Sequence, residues 1–194
     1  MTTTRSRGDL QELAADAPRH VTLSDVQQRR RVVIVGDIHG CCAEFRELLD
    51  AHVRPGDMLI LAGDLVNKGP NSAEVVRVAR ERNALAVVGN HELASLRARA
   101  RRSGGANPDA ETFYAWTDEL SEEDVAYIKA LPFTISLPLH DALVVHAGLV
   151  KSLLMKLGGG GLPAKARARR LICLCHGRCR GCRSRNKTPS AWSQ

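Results

Sequence analysis

An α/β fold is predicted by three features of this chain. Apolar runs at 32–35, 58–62 and 85–88 have the length and branched content of buried parallel strands. Each is followed by apolar residues at helical spacing, as with Phe45, Leu48, Leu49 and Val53 after the first. Each strand also runs out at a glycine beside an Asp or Asn: Gly36-Asp37, Gly63-Asp64 and Gly89-Asn90. Strand, helix, strand, helix in succession is the rhythm of a parallel sheet.

Taken in order, residues 1 to about 30 are polar, with Pro18 and a basic run at 29–31, and are expected to form a flexible lead-in. Gly36 turns the chain after the first strand, and the helix that follows is expected to end near Val53, before the Pro55-Gly56 turn. The second strand opens into the loop LVNKGPNS, and Ser72 is a plausible cap for a helix presenting Val75, Val76 and Ala79 inward. After the third strand comes Gly89-Asn90-His91-Glu92, where Glu92 is read as a helix-starting acid. Arginines 97, 99, 101 and 102 on that helix are read as a solvated face. A Gly-Gly break at 104–105 precedes a helical stretch over 108–131, with Ser121-Glu122-Glu123-Asp124 marking a helix start inside it. Strands at 133–137 and 142–145, joined through 138–141, suggest an antiparallel extension or a second sheet.

Of the 28 Lys and Arg, 11 lie in residues 151–194, which hold none of the 21 Asp and Glu. Residues 1–150 therefore carry 17 basic against 21 acidic side chains, and the excess positive charge belongs to the tail. The composition changes abruptly at Val150, with four consecutive glycines and then CLCHGRCRGC. We therefore expect a flexible segment over 1–30, a domain over 31–150, and a basic, Gly- and Cys-rich tail over 151–194. Cys41 and Cys42 read as free thiols, no apolar run approaches membrane-spanning length, and the first residues lack a secretory pattern. A cytoplasmic protein is the expectation.

The strand ends carry the chemistry. Asp37 to Asp64 is one βα unit, and Asp64 to Asn90 is another. Parallel neighbours would bring Asp37, His39, Asp64, Asn90, His91 and His146 together at the carboxyl edge of the sheet, where open α/β sheets place their sites. Mixed carboxylate, imidazole and amide donors suit Mn²⁺, Fe or Zn²⁺.

The four motifs GDIHG, GDLVNKG, GNHE and HAG, over roughly 31–150, resemble the calcineurin-like metallophosphoesterases, within them the phosphoprotein phosphatase superfamily. GDLVNKGP, with Asn67 and Lys68, resembles the ApaH-like branch more than the typical serine/threonine phosphatases. The resemblance implies a layered α/β/β/α sandwich, incomplete at its C-terminal end, and a centre of two divalent metal ions. Asp37 and His39 would hold one ion, Asp64 would bridge, and Asn90 and His146 would hold the other. Two cations about 3.5–4 Å apart ionise a shared water for attack on phosphorus. His91 would be the acid for the leaving oxygen, Asn67 its partner, and Lys68 a point charge for phosphate. The implied activity is hydrolysis of phosphate esters or anhydrides, with a phosphorylated protein, a dinucleoside polyphosphate or capped RNA as substrate.

The resemblance also implies a further His and a phosphate-gripping Arg after HAG. His176 is the one later histidine, and its context does not match. A truncated or rearranged relative, foreign from about residue 151, is therefore expected, and an inactive homologue is the alternative reading. The tail's four cysteines, Cys173, Cys175, Cys179 and Cys182, offer thiolates for a zinc site, and its charge offers RNA contact without base specificity. A disordered tail is the plainer reading.

Overall fold

The strand Met58–Leu61 is buried at every position, which makes it the centre of the molecule. This computed structural model describes residues 20–28, 30–104, 108–147 and 172–173. In chain order the elements are β1 (His20–Thr22), α1 (Asp25–Gln28), β2 (Val32–Gly36), α2 (Cys42–His52), β3 (Met58–Leu61), α3 (Ser72–Glu81), β4 (Leu85–Ala86) and α4 (Asn90–Ser103). A 3-10 helix (Pro108–Glu119) follows, then α5 (Glu122–Lys129), β5 (Thr134–Leu137), β6 (Ala142–Val145) and β7 (Ile172–Cys173). β4, β3, β2 and β7 form one sheet in that order, and β1, β5 and β6 form a second.

The first sheet is parallel throughout, with Val35 paired to Leu61 and Ile60 to Leu85. Alternation along its strands divides two cores. Val33, Val35, Leu59 and Leu61 pack with Phe45, Leu49, Val75, Val76 and Ile128 from the helices. Met58 and Ile60 face the other way, against Ile135, Leu137 and Val144 of the second sheet. Among the described residues the layers are thus helices, sheet, sheet, three of the four layers of the expected α/β/β/α sandwich. β5 and β6 are antiparallel, which settles the later strand pair as part of a second sheet.

The structure departs from expectation in several places. Residues 20–28 fall in the expected lead-in, yet β1 pairs parallel with β5 and Leu23 is buried between the sheets. The apolar signal there is too short to stand out from a polar segment. The third strand stops at Ala86; beyond it Val87 still donates its N–H to the Leu61 carbonyl of β3, and Val88 donates to the carbonyl of Pro132. The stretch 108–131 is not one helix: α5 begins afresh at Ser121, whose hydroxyl accepts the N–H of Asp124 while Asp124 accepts that of Ser121. Ser72 lies inside α3, whose cap position is Asn71. Arg99 and Arg102 are not a solvated face, since Arg102 pairs with Asp118 and Arg99 bonds the Thr117 carbonyl and Glu122, tying α4 to the 3-10 helix and α5. Cys41 and Cys42 are buried, and His52 and His140 are exposed. Among the described residues no helix is long and apolar enough to cross a membrane. The side chains of the tail cysteines, and His176, lie outside the described residues.

Candidate metal centre

The loops after β2 and β3 are stitched together through their backbones. Asp37 donates its N–H to the Gly63 carbonyl at 3.2 Å, His39 to Asp64 at 2.9 Å, and Gly40 to Leu65 at 2.8 Å. Gly69 returns a bond to the His39 carbonyl at 2.7 Å. Seven non-glycine residues in the described chain have positive φ, and five of them are Asp37, His39, Asp64, Asn67 and Lys68. Left-handed backbone costs a side-chain-bearing residue about 1–2 kcal/mol. Such strain persists only where surrounding bonds dictate it, and here it aims five polar side chains into one space.

Asp64, 5% exposed, lies at the middle. His39 sits on one side, with Nδ1 3.2 Å from the Val66 carbonyl and Nε2 3.5 Å from Asp64 Oδ2. His146 sits on the other, with Nδ1 2.9 Å from the Ala62 carbonyl and Nε2 3.2 Å from Asp64 Oδ1. In each ring a backbone carbonyl engages Nδ1, which turns Nε2 toward the carboxylate. Metal-binding histidines are held in this way. Asn90 Oδ1 is 3.2 Å from His146 Nε2, and Asp37 Oδ1 is 3.8 Å from His39 Nε2. Among the described residues, two groups have ligand atoms within 4.8 Å of one another, His39–Asp64–His91 and Asp37–Asp64–His146. They share Asp64. The donor set, oxygen and imidazole nitrogen converging from several strands, fits divalent cations.

All eight residues singled out in the sequence meet here. Lys68 Nζ is 2.8 Å from His39 Nε2. Gly63 makes room: its φ is +81°, and a Cβ there would lie 2.8 Å from the His146 ring. Asn67 donates from Nδ2 to His91 Nδ1 at 3.0 Å and to Ser95 Oγ at 3.2 Å, and its Oδ1 accepts the Trp116 indole N–H at 3.0 Å.

The charges follow from these partners. The Asp64 hydrogen bond raises His146 to about 9, against the opposing effect of burial. Burial raises the Asp64 carboxyl, but His146 and the N–H and charge of His91 outweigh it, and the net shift is downward. Burial lowers His39, with Lys68 adding to the effect, and it lowers His91 as well. A cation between Asp64 and His146 would take the place of the proton on His146.

Sequence reasoning missed the support beneath this centre. Glu92 is fully buried, and its carboxylate accepts the N–H groups of Asp64 at 2.9 Å, Leu65 at 2.8 Å and Gly89 at 2.7 Å. It does start α4 as expected, but it also ties the loop after β3 to the one after β4. Burial raises its pKa. Ser72, expected as a cap, accepts the Asn67 N–H at 2.9 Å instead. The spacing GNHE held the signal for Glu92, since an acid three residues after a strand-end glycine reaches back to that loop. Nothing local pointed to Trp116, 49 residues from Asn67.

Comparison with known proteins places this fold and donor set in a family. The sequence profile of the calcineurin-like phosphoesterases matches residues 30–177, and the chain belongs to that family. Members of the family use divalent metal ions. The symmetrical bis(5'-nucleosyl)-tetraphosphatase of Aromatoleum aromaticum is 35% identical over 154 residues, 75% of this chain and 52% of the relative. The asymmetrical bis(5'-nucleosyl)-tetraphosphatase PrpE of Halalkalibacterium halodurans is 33% identical over 60% of this chain and 56% of its own. A crystal structure of a candidate diadenosine tetraphosphatase superposes with a TM-score of 0.57 at 36% identity, covering 68% of this chain and 55% of that one. The chain thus spans about half the length of the relatives it matches.

Proposed function

We propose that this protein is a metal-dependent phosphoesterase of the ApaH type, hydrolysing phosphate esters or anhydrides of nucleotides. The observation that carries the reading is the pair of imidazoles, His39 and His146, each engaged at Nδ1 by a backbone carbonyl and each turning Nε2 to a different oxygen of Asp64. Asp37, His39 and Asp64 would hold one divalent cation, and Asp64, Asn90 and His146 a second, with Mn²⁺, Fe and Zn²⁺ suited to the donors. Bound there, the ions supply Lewis acidity toward phosphate oxygens and ionise an attacking water near neutral pH.

The chain's own residues do the rest. Asp64 presents Oδ2 to the His39 side and Oδ1 to the His146 side. Asn90 contributes an oxygen without charge, so the site is less repulsive to an anionic substrate. Lys68 swings from His39 Nε2 to a phosphate oxygen as a point charge. His91, whose Nε2 lies 3.8 Å from Asp64 Oδ2, faces the leaving oxygen. The 11 Lys and Arg of residues 151–194, a stretch whose sequence holds no Asp or Glu, support contact with RNA without sequence preference.

Purified protein with Mn²⁺ should cleave diadenosine tetraphosphate to mononucleotides, or release phosphate from a chromogenic phosphate monoester, and lose that activity with chelator and in Asp64→Asn. A folded protein inactive at every metal load would identify an inactive homologue. Salt-sensitive RNA binding, absent from a chain lacking 151–194, tests the role of the tail.

A further inference from the structure

The orientation of the Asn67 amide is fixed twice over. The Trp116 indole nitrogen is a donor only, so the oxygen 3.0 Å away must be Asn67 Oδ1. The Ser95 hydroxyl donates to the His91 carbonyl at 2.8 Å, which leaves its lone pairs for Asn67 Nδ2 at 3.2 Å. Both constraints place the amide NH₂ against His91, with Nδ2 3.0 Å from Nδ1. An NH₂ group only donates, so Nδ1 must accept, and the ring proton resides on Nε2. Asn67 is 1% exposed, and no solvent competes for these bonds.

We propose that Trp116 is a positioning residue which, through Asn67, holds His91 as the neutral Nε2–H tautomer, so that His91 donates a hydrogen bond to the leaving oxygen without giving up its proton. A carboxylate at position 67 would do the reverse, accepting from Nδ1–H and favouring a ring that can transfer a proton from Nε2. Here a proton on Nδ1 would confront the amide NH₂, and turning the amide over would face its oxygen away from the indole N–H. A neutral ring that surrendered its Nε2 proton would become an imidazolate, far too basic for the step. The arrangement therefore suits a leaving group that departs as a stable anion. In anhydride hydrolysis the water oxygen forms the new P–O bond and the bridging P–O bond breaks. Its electron pair stays on the departing phosphate, and the water's proton passes to solvent. An alkyl phosphate would release an alkoxide that needs a proton, and His91 in this form does not supply one.

The leaving-group consequence rests on the phosphoesterase reading, whereas the tautomer does not. The test is nitrogen NMR of the full-length protein with Zn²⁺, the His91 ring being assigned by its loss in His91→Gln. Wild type should show a pyridine-like Nδ1 and a pyrrole-like Nε2, and a pyrrole-like Nδ1 would overturn the proposal even in an inactive protein. Trp116→Phe keeps the ring and loses the donor. It should move the His91 signals toward a mixture and lower kcat on diadenosine tetraphosphate roughly five- to tenfold, with KM within about twofold, as expected for one lost hydrogen bond. Signals identical to wild type would remove Trp116 from the argument. Asn67→Asp should protonate Nδ1 and raise turnover of an alkyl phosphate relative to the anhydride by about tenfold or more. An unchanged ratio with a changed tautomer would refute the leaving-group consequence alone.

Discussion

The two sides of Asp64 are built by different means. His39 belongs to the first βα unit, and the carbonyl that engages it, Val66, is 27 residues away on the adjacent parallel strand's loop. It is 3% exposed and lies within a backbone seam. His146 directly follows β6 of the second sheet and reaches the Ala62 carbonyl across 84 residues. Its partner Asn90 is exposed. The first side forms once two neighbouring strands pair; the second also requires the two sheets to pack. Damage to inter-sheet contacts should therefore reach one side of the site before the other.

The largest effect belongs to the residue both sides share. Asp64→Ala should reduce kcat by about a thousandfold or more and lower the bound metal, measured by elemental analysis, on both sides together. Retention of two ions per chain would show that Asp64 does not bridge. His39→Ala and His146→Ala should each cost on the order of a hundredfold, as lost ligands do. Gly63→Ala separates the sides. Its new Cβ meets the His146 ring and strains a backbone at φ +81°, so metal should be lost on the His146 side while the His39 side keeps its ion. Equal loss from both would contradict the asymmetry.

Next in size is Glu92. Replacing it with Ala strands the N–H groups of Asp64, Leu65 and Gly89 in a buried setting, at about 1–3 kcal/mol for each group left unsatisfied. A fall in the denaturant midpoint corresponding to about 3 kcal/mol, with an unchanged slope, is expected. Glu92→Gln, which keeps one acceptor oxygen and introduces a donor against N–H groups, should recover less than half.

Much of this was legible in the sequence. The buried parallel strands announced themselves by apolar runs, and the strand-end Gly-Asp and Gly-Asn pairs fixed where the side chains would meet. Those signals are local, because a parallel sheet converts one βα repeat into one step across the sheet. β1 was invisible because three residues at an edge carry no periodicity, and their strand partner, β5, lies 114 residues further on. Trp116 was equally silent. An indole in a 3-10 helix takes its meaning from an amide 49 residues earlier, and no spacing rule connects them. Arg99 and Arg102 misled for the opposite reason: a run of arginines reads as solvated until a neighbouring acid, Asp118 or Glu122, is known to face it.

The smallest effect lies far from the centre and separates fold from site. The Asp124 carboxylate is wholly buried, with Arg80 Nε at 3.0 Å and the Ser121 N–H at 3.1 Å. Burial works to raise its pKa, but the Ser121 bonds and Arg80 together lower it below the ordinary carboxylate value. Because the folded form binds its proton less readily than the unfolded chain, Asp124 stabilises the fold fully above the unfolded value of about 3.9. That contribution is lost as pH falls through the lower folded value. Asp124→Asn should therefore cost about 1 kcal/mol near neutral pH, discounted for the partly exposed Arg80, and should flatten the decline in stability below about pH 4. Urea melts across that range would measure it. Metal content at neutral pH should stay at the wild-type level in this variant, because the bonds of the Asp124 carboxylate run to Arg80 and Ser121 and to none of the residues of the metal centre. A loss of metal from the His146 side alone would instead mean that the helical layer supports the second sheet through β3, extending the asymmetry across the whole domain.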